Sequence, residues 1–156
     1  DQFLKKNIEV LLLMAGVFPI FKYNRLNLLY YKINNNIFNL FRSQTKLINK
    51  RFSNYETYLL FTSADVIFLP HKSGLTSGII PMAATLGKPF VYPNIGVFKE
   101  QSQYCLAEEY ECGNVNAAQI AIDKILASGI QSFDNSKWLR NNSWEKHVEK
   151  ILSNIC

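Results

Sequence analysis

The sequence predicts an α/β protein built on a Rossmann-like, doubly wound parallel sheet. Two observations carry this prediction: strands and helices alternate along the chain, and the strands predicted over 8–15, 65–69 and 88–92 contain continuous apolar runs rather than alternating apolar residues. Continuous apolar strands are typical of parallel sheets that are covered by helices on both faces. With 156 residues, 48% of them hydrophobic and 19% charged, the chain has the size and composition of one globular domain.

The first predicted strand is the apolar run 8–15, which ends at Gly16. A second short strand is predicted over residues 45–49. The segment 53–56, Ser-Asn-Tyr-Glu, has the spacing of a capping box, in which the Ser hydroxyl and the Glu carboxylate satisfy free amides at a helix start. The helix that it opens should run to about Ser63.

Between these strands, residues 24–42 repeat apolar side chains at helical spacing and predict a helix. The apolar positions are Leu26, Leu29, Tyr30, Ile33, Ile37, Leu40 and Phe41. The helix is also basic and aromatic, so one reading is an interfacial helix that approaches an anionic membrane. The other, which we favour, is an amphipathic helix packed on the sheet with its polar face in water.

Residues 63–92 predict one βαβ unit: a strand over 65–69, a helix over 78–86 and a strand over 88–92. The loop between the first strand and the helix, residues 71–77, consists mostly of Ser, Gly and Thr. In open α/β sheets, ligands bind beyond the carboxyl ends of the strands, which is where this loop lies. Small residues allow the backbone to approach a ligand closely.

Pro81 fixes where this helix begins, because proline is tolerated only in the first helical turn. The helix should therefore start near Ser77 or Gly78. The amides of residues 76–80 should then point outward and form an anion site, with the Thr76 and Ser77 hydroxyls as further donors. The plain alternative is a short loop with a Ser or Thr cap that binds nothing.

The remaining chain predicts two more helices. Asn116 resembles a helix cap, and Gly129 should close that helix at its carboxyl end. The segment 142–145, Asn-Ser-Trp-Glu, caps a last helix over residues 143–154.

Charge and cysteine content narrow the possible functions. Residues 1–52 carry nine Lys or Arg against two acids, whereas residues 53–156 carry eight against ten. The basic first third has no nucleic-acid-binding motif, so we predict no nucleic-acid partner.

Cys105, Cys112 and Cys156 lack a zinc spacing, which indicates free thiols and no metal. No apolar run is long enough to span a bilayer and no secretory signal opens the chain, which predicts a cytoplasmic protein.

Several segments together resemble the donor-binding domain of GT-B glycosyltransferases, and most closely glycosyltransferase family 4. They are Ser-Ala-Asp-Val-Ile-Phe-Leu-Pro (63–70), Ser-Gly-Leu-Thr-Ser-Gly (73–78), Leu-Gly-Lys-Pro-Phe-Val (86–91), the Gly…Glu turn 94–100 and Asn-Ser-Trp-Glu-Lys (142–146). The resemblance implies that residues 1–156 are a nucleotide-sugar-binding domain, the C-terminal half of a GT-B enzyme that lacks its first strand. The acceptor domain would lie outside this chain.

The same resemblance implies site residues. Gly74, Leu75, Thr76, Ser77 and Gly78 would hold the donor diphosphate. Lys50, Arg51 and Phe52 would lie near the base or ribose, although Lys50 and Arg51 fit a solvated turn equally well. His71 and Lys72 would lie at the pocket mouth, near donor sugar or phosphate, and Lys72 would offset leaving-group charge. The alternative for His71 is a surface imidazole without a role in binding. Glu100 would contact the donor sugar, and its alternative role is to cap a helix after Gly96.

One departure limits the assignment of mechanism. Family 4 enzymes typically carry two glutamates eight positions apart, at the positions that Gly74 and Met82 occupy here. No catalytic residue can therefore be assigned. A catalytically silent GT-B-like module that binds a nucleotide or a partner is the alternative function.

The function that the resemblance implies is a hexosyltransferase-type activity, to which this domain would contribute donor binding and which it would not perform without the acceptor domain. It would move sugar from a UDP- or GDP-linked donor to a glycan or lipid-linked acceptor in bacterial surface polysaccharide biosynthesis. No cofactor is expected. Peripheral contact with the inner face of the membrane would bring such a domain to its acceptor.

Overall fold

The computed structural model describes residues 12–16 and 45–153 and shows a mixed α/β architecture. The strands are β1 (Leu12–Gly16), β2 (Thr45–Asn49), β3 (Ile67–Phe68), β4 (Phe90–Pro93) and β5 (Ala107–Tyr110). The helices are α1 (Asn54–Ser63), α2 (Ile79–Thr85), α3 (Phe98–Gln101), α4 (Val115–Ala127), α5 (Ser136–Asn141) and α6 (Trp144–Ser153). The chain divides into two compact units between Thr57 and Tyr58.

The first unit contains a parallel pair of strands. β1 and β2 pair from Leu12 opposite Thr45 to Gly16 opposite Asn49. The predicted strand over 45–49 is thus confirmed, and the described part of the predicted strand over 8–15 is confirmed with an extension to Gly16. The predicted helix over 24–42 lies outside the described residues.

The capping box at the start of α1 is formed as the sequence predicts. The Ser53 hydroxyl accepts the N–H of Glu56 at 3.2 Å, and the Glu56 carboxylate accepts the N–H of Ser53 at 2.9 Å. Two amides that lack a partner within the helix are satisfied in this way, which fixes the start of α1. The helix ends at Ser63, as predicted.

The second unit contains a three-stranded parallel sheet in the order β3-β4-β5. All four residues of the central strand β4 are buried. Phe90 and Tyr92 pack in one core cluster with Ile80 of α2, whereas Val91 packs in a second cluster with Ile125 of α4. Since alternate residues of a strand point to opposite faces, helices cover both faces of this sheet. This arrangement is compatible with a Rossmann-like fold.

The predicted βαβ unit is present, with shorter elements than expected. The strand predicted over 65–69 is assigned only at Ile67–Phe68, although its hydrogen bonds to β4 continue through Leu69 N–H to Val91 O at 2.9 Å. Pro70 follows Leu69, and no described main-chain hydrogen bond joins the chain to β4 beyond this point. α2 begins at Ile79, so Pro81 does lie in its first turn.

After β4, the second compact unit differs from the sequence prediction in one helix boundary and in three elements that were not predicted. Asn114, not Asn116, caps α4: its side chain accepts the N–H of Ala117 at 3.0 Å. Gly129 follows the end of α4 with a φ of +65°, as predicted. β5 and the short helices α3 and α5 were not predicted. The last helix begins at Trp144, and the Ser143 hydroxyl accepts the N–H of Lys146.

Candidate functional site

The loop between β3 and α2 contains the residues predicted to hold a diphosphate, Gly74–Gly78, and is called the diphosphate loop below. It lies at the carboxyl edge of the three-stranded sheet. It leaves the sheet after Leu69, which is fully buried, and it enters α2 through Ser77, which is 5% exposed. Gly74, Leu75 and Thr76 are exposed between these two anchors, and Gly78 is exposed directly after Ser77. The loop therefore presents its main chain, small side chains and the apolar side chain of Leu75 to solvent, at the edge where α/β sheets bind ligands.

Ser77 is used inside the protein rather than offered to a ligand. Its N–H donates to the side-chain oxygen Oε1 of Gln101 at 3.2 Å, and its own hydroxyl accepts the N–H of Ile79 at 3.2 Å. Two of the amides that the sequence predicts to face outward thus have internal partners. Within residues 12–16 and 45–153, the amides of Thr76 and Gly78 donate to no protein acceptor.

The loop after β4 forms a second wall against the diphosphate loop. Val97 N–H donates to the carbonyl oxygen of Leu75 at 2.9 Å. Gly96 has a φ of +52°, and a β-carbon at this position would stand 2.5 Å from the carbonyl oxygen of Gly74. Only glycine allows this approach of two main chains without a shift of one of them.

The loop after β5 closes the same edge. Cys112 N–H donates to the side-chain oxygen of Asn94 at 2.8 Å, which joins this loop to the one after β4. The Cys112 sulfur lies 3.7 Å from the carbonyl oxygen of His71 and 3.6 Å from that of Lys72. Three loops, each following one parallel strand, are therefore connected by hydrogen bonds around the predicted site.

His71 contributes a polar atom that has no partner in the part of the chain described. Its Nδ1 is shielded from solvent and makes no hydrogen bond. The imidazole meets the ring of the buried Phe98 edge to face, with the ring centroids 5.5 Å apart. A nitrogen that is shielded from water and has no hydrogen-bond partner carries a free-energy cost. Lys72, the next residue, is exposed.

Lys50, Arg51 and Phe52 belong to the first unit and are organised by local contacts. Lys50 Nζ pairs with the Glu56 carboxylate and lies 5.1 Å from the centre of the Phe52 ring. The hydrogen bond from Lys50, followed by those from Ser53, lowers the pKa of Glu56 to about 2. Arg51 is exposed. The placement of these residues near a base or ribose stays a prediction.

The structure also describes three further positions that the sequence singles out: Glu100, Gly74 and Met82. Glu100 is exposed on the single turn of α3, and it makes no side-chain hydrogen bond that would cap this helix. Gly74 has a φ of +151°, where a side chain is disfavoured, and Met82 is 40% exposed on α2. Neither of the two positions where family 4 enzymes typically have a glutamate carries a carboxylate in this chain.

Gln101 is the residue of this site that sequence reasoning missed. It lies 24 positions after Ser77, and a lone glutamine in a one-turn helix gives no recognisable pattern. Among the described residues, no three His, Cys, Asp or Glu side chains come together as a metal site. The helices of this part of the chain include none long and apolar enough to cross a membrane.

Comparison of the chain with known protein families, with curated proteins and with solved structures gave no match.

Proposed function

We propose that this protein binds the diphosphate of a nucleotide-sugar at the loop Gly74–Gly78 and serves as the donor-binding domain of a glycosyltransferase. The observation that carries the proposal is the pair of free amides, at Thr76 and Gly78, in a small-residue loop at the carboxyl edge of a parallel sheet. Such amides hold phosphate oxygens in many α/β proteins without the need for a cationic side chain.

Further support comes from the surroundings of the loop. The unpartnered Nδ1 of His71 and the exposed ammonium of Lys72 precede it directly. A diphosphate carries negative charge that the exposed Lys72 ammonium would stabilise, together with the further charge that develops on the leaving nucleotide. The shielded Nδ1 of His71 would reach the ligand only if the imidazole turned. The order of motifs along residues 63–146 resembles glycosyltransferase family 4, which supplies the donor class: a UDP- or GDP-linked sugar.

Binding is tested by following the amide resonances of Thr76 and Gly78 while the chain is titrated with UDP, GDP, ADP and their sugar conjugates. We expect one nucleotide diphosphate to shift both resonances and to saturate. Thr76→Ala keeps the amide and removes the hydroxyl, so it separates the contributions of main chain and side chain. If none of these ligands shifts either resonance while the chain remains folded, the proposal is wrong.

A catalytically silent nucleotide-binding module is the second candidate, and the absence of carboxylates at Gly74 and Met82 favours it. The two candidates agree on binding and differ on turnover. We expect the intact protein to release nucleoside diphosphate from its sugar donor when an acceptor is present, and the double variant Thr76→Ala, Ser77→Ala to lose this release. Binding without release, across glycan and lipid-linked acceptors, would favour the silent module.

A further inference from the structure

The side-chain amide of Gln101 pairs with the main chain of Ser77 through two hydrogen bonds. The Ser77 N–H donates to Oε1 at 3.2 Å, and Nε2 donates to the Ser77 carbonyl oxygen at 3.5 Å. A primary amide offers a donor and an acceptor side by side, as a neighbouring main chain would. Gln101 therefore gives this loop residue the two partners that a residue within a sheet obtains from the next strand.

Gln101 is itself held in place from the opposite side. The main-chain carbonyl oxygen of Gln101 accepts the indole N–H of Trp138 at 3.2 Å. The main-chain N–H of Gln101 donates to the carbonyl oxygen of Val97 at 3.0 Å. Trp138 is 8% exposed, so the indole is anchored in the core. These contacts connect the core at α5, through α3, to the conformation of the diphosphate loop.

The conformation of Ser77 determines which amides of the loop remain free. With Ser77 fixed by Gln101, its hydroxyl occupies the N–H of Ile79, and the amides of Thr76 and Gly78 on either side of Ser77 stay without protein partners. Without Gln101, the Ser77 N–H would lose its acceptor and the peptide planes on both sides could rotate. The loop would then have to be ordered by the ligand, which weakens binding.

We propose that Gln101 is a positioning residue that holds the loop Gly74–Gly78 in the conformation that receives the diphosphate. This inference rests on the proposed function and adds to it a residue that needs no contact with the ligand. The side chain that holds the loop in this conformation lies on a different element, 24 residues further along the chain.

The test compares Gln101→Met with Gln103→Met, a matched change at an exposed glutamine two residues along the chain. Calorimetric titration uses whichever of UDP, GDP or ADP the wild-type chain binds, and the corresponding nucleoside as a second ligand. Each hydrogen bond to Ser77 that is lost lowers the population of the receptive loop conformation by several-fold, so we expect about tenfold weaker diphosphate binding for Gln101→Met. Nucleoside binding should not change, and Gln103→Met should match the wild type.

Hydrogen exchange of the peptide that contains Ser77 provides a readout without any ligand. We expect faster exchange in Gln101→Met at this peptide, and unchanged exchange at the β4 peptide. The inference is overturned if Gln101→Met binds the diphosphate as Gln103→Met does, or if its weaker binding accompanies faster exchange at β4 as well. If the wild type binds no nucleotide diphosphate, the proposed function fails and takes this inference with it.

Discussion

Gly96 lies directly against the carbonyl oxygen of Leu75, so closely that a β-carbon on residue 96 would overlap this oxygen. The next residue, Val97, donates its N–H to the same oxygen at 2.9 Å. The loops after β3 and β4 are thus packed main chain to main chain. This contact restricts the conformations that the diphosphate loop can adopt.

Gly96→Ala should therefore destabilise the protein more than a change at a glycine with free space. We expect a loss of about 3 kcal/mol in the free energy of unfolding, from steric overlap and from the positive φ together. Gly113→Ala is the control, because Gly113 has a φ of +83° and no atom within 4 Å of a built β-carbon. Its loss should be about 1 kcal/mol, from backbone strain alone. Equal losses in urea titrations of the two variants would contradict the packing argument.

The cap of α4 gives a prediction with an internal control. Asn114 accepts the N–H of Ala117 with its side-chain oxygen and donates to the Glu111 carboxylate at 2.8 Å. We expect Asn114→Ala to cost about 1 kcal/mol of unfolding free energy. Asn116→Ala lies within the helix, where alanine has the higher propensity, and should be neutral or slightly stabilising. Thermal unfolding of the two variants distinguishes them. A larger loss of unfolding free energy in Asn116→Ala than in Asn114→Ala would indicate that residue 116 caps the helix.

Glu56 should make stability depend on pH in the acid range. Its pKa is lowered from its ordinary value of 4.5 to about 2 by hydrogen bonds from Lys50 and then from Ser53. The stabilisation is therefore complete above pH 4.5 and is lost as the pH falls from 4.5 to 2. We expect the difference in stability between the wild type and Glu56→Gln to shrink across this interval. A carbon-detected NMR titration of the Glu56 carboxyl measures the pKa directly, and a value near 4.5 would contradict the hydrogen-bonded capping box.

Cys105 should resist alkylation in the native protein. Burial raises the pKa of its thiol to about 12, so almost none of it is thiolate at pH 8. We expect iodoacetamide at pH 8 to leave Cys105 unmodified by peptide mass spectrometry. The same treatment in urea should modify it, because unfolding restores an ordinary thiol. Native modification at the rate seen in urea would show that the thiol is not shielded.

Sequence patterns determined the elements whose signals are local. The capping box at Ser53 and Glu56, the turn residue Gly129 and the helical position of Pro81 each depend on interactions within about four residues, and each is found where it was predicted. The apolar run around β4 likewise identified a strand that is buried on both faces. Local hydrogen bonding and burial require particular residue types at fixed spacings, so the sequence alone predicts these elements.

Other features depended on contacts that are distant in sequence. β5 contains two glutamates and lies at the edge of the sheet, so pairing with β4, rather than an apolar pattern, makes it a strand. The amides of the diphosphate loop were predicted as a uniform set. The approach of Gln101 to Ser77 and the local hydrogen bond from Ile79 N–H to the Ser77 hydroxyl decided which of them remain free. The sequence alone thus determined that a small-residue loop follows a buried parallel strand. The tertiary structure decided that the Ser77 amide has a protein acceptor, because partners 24 residues apart leave no periodic signal.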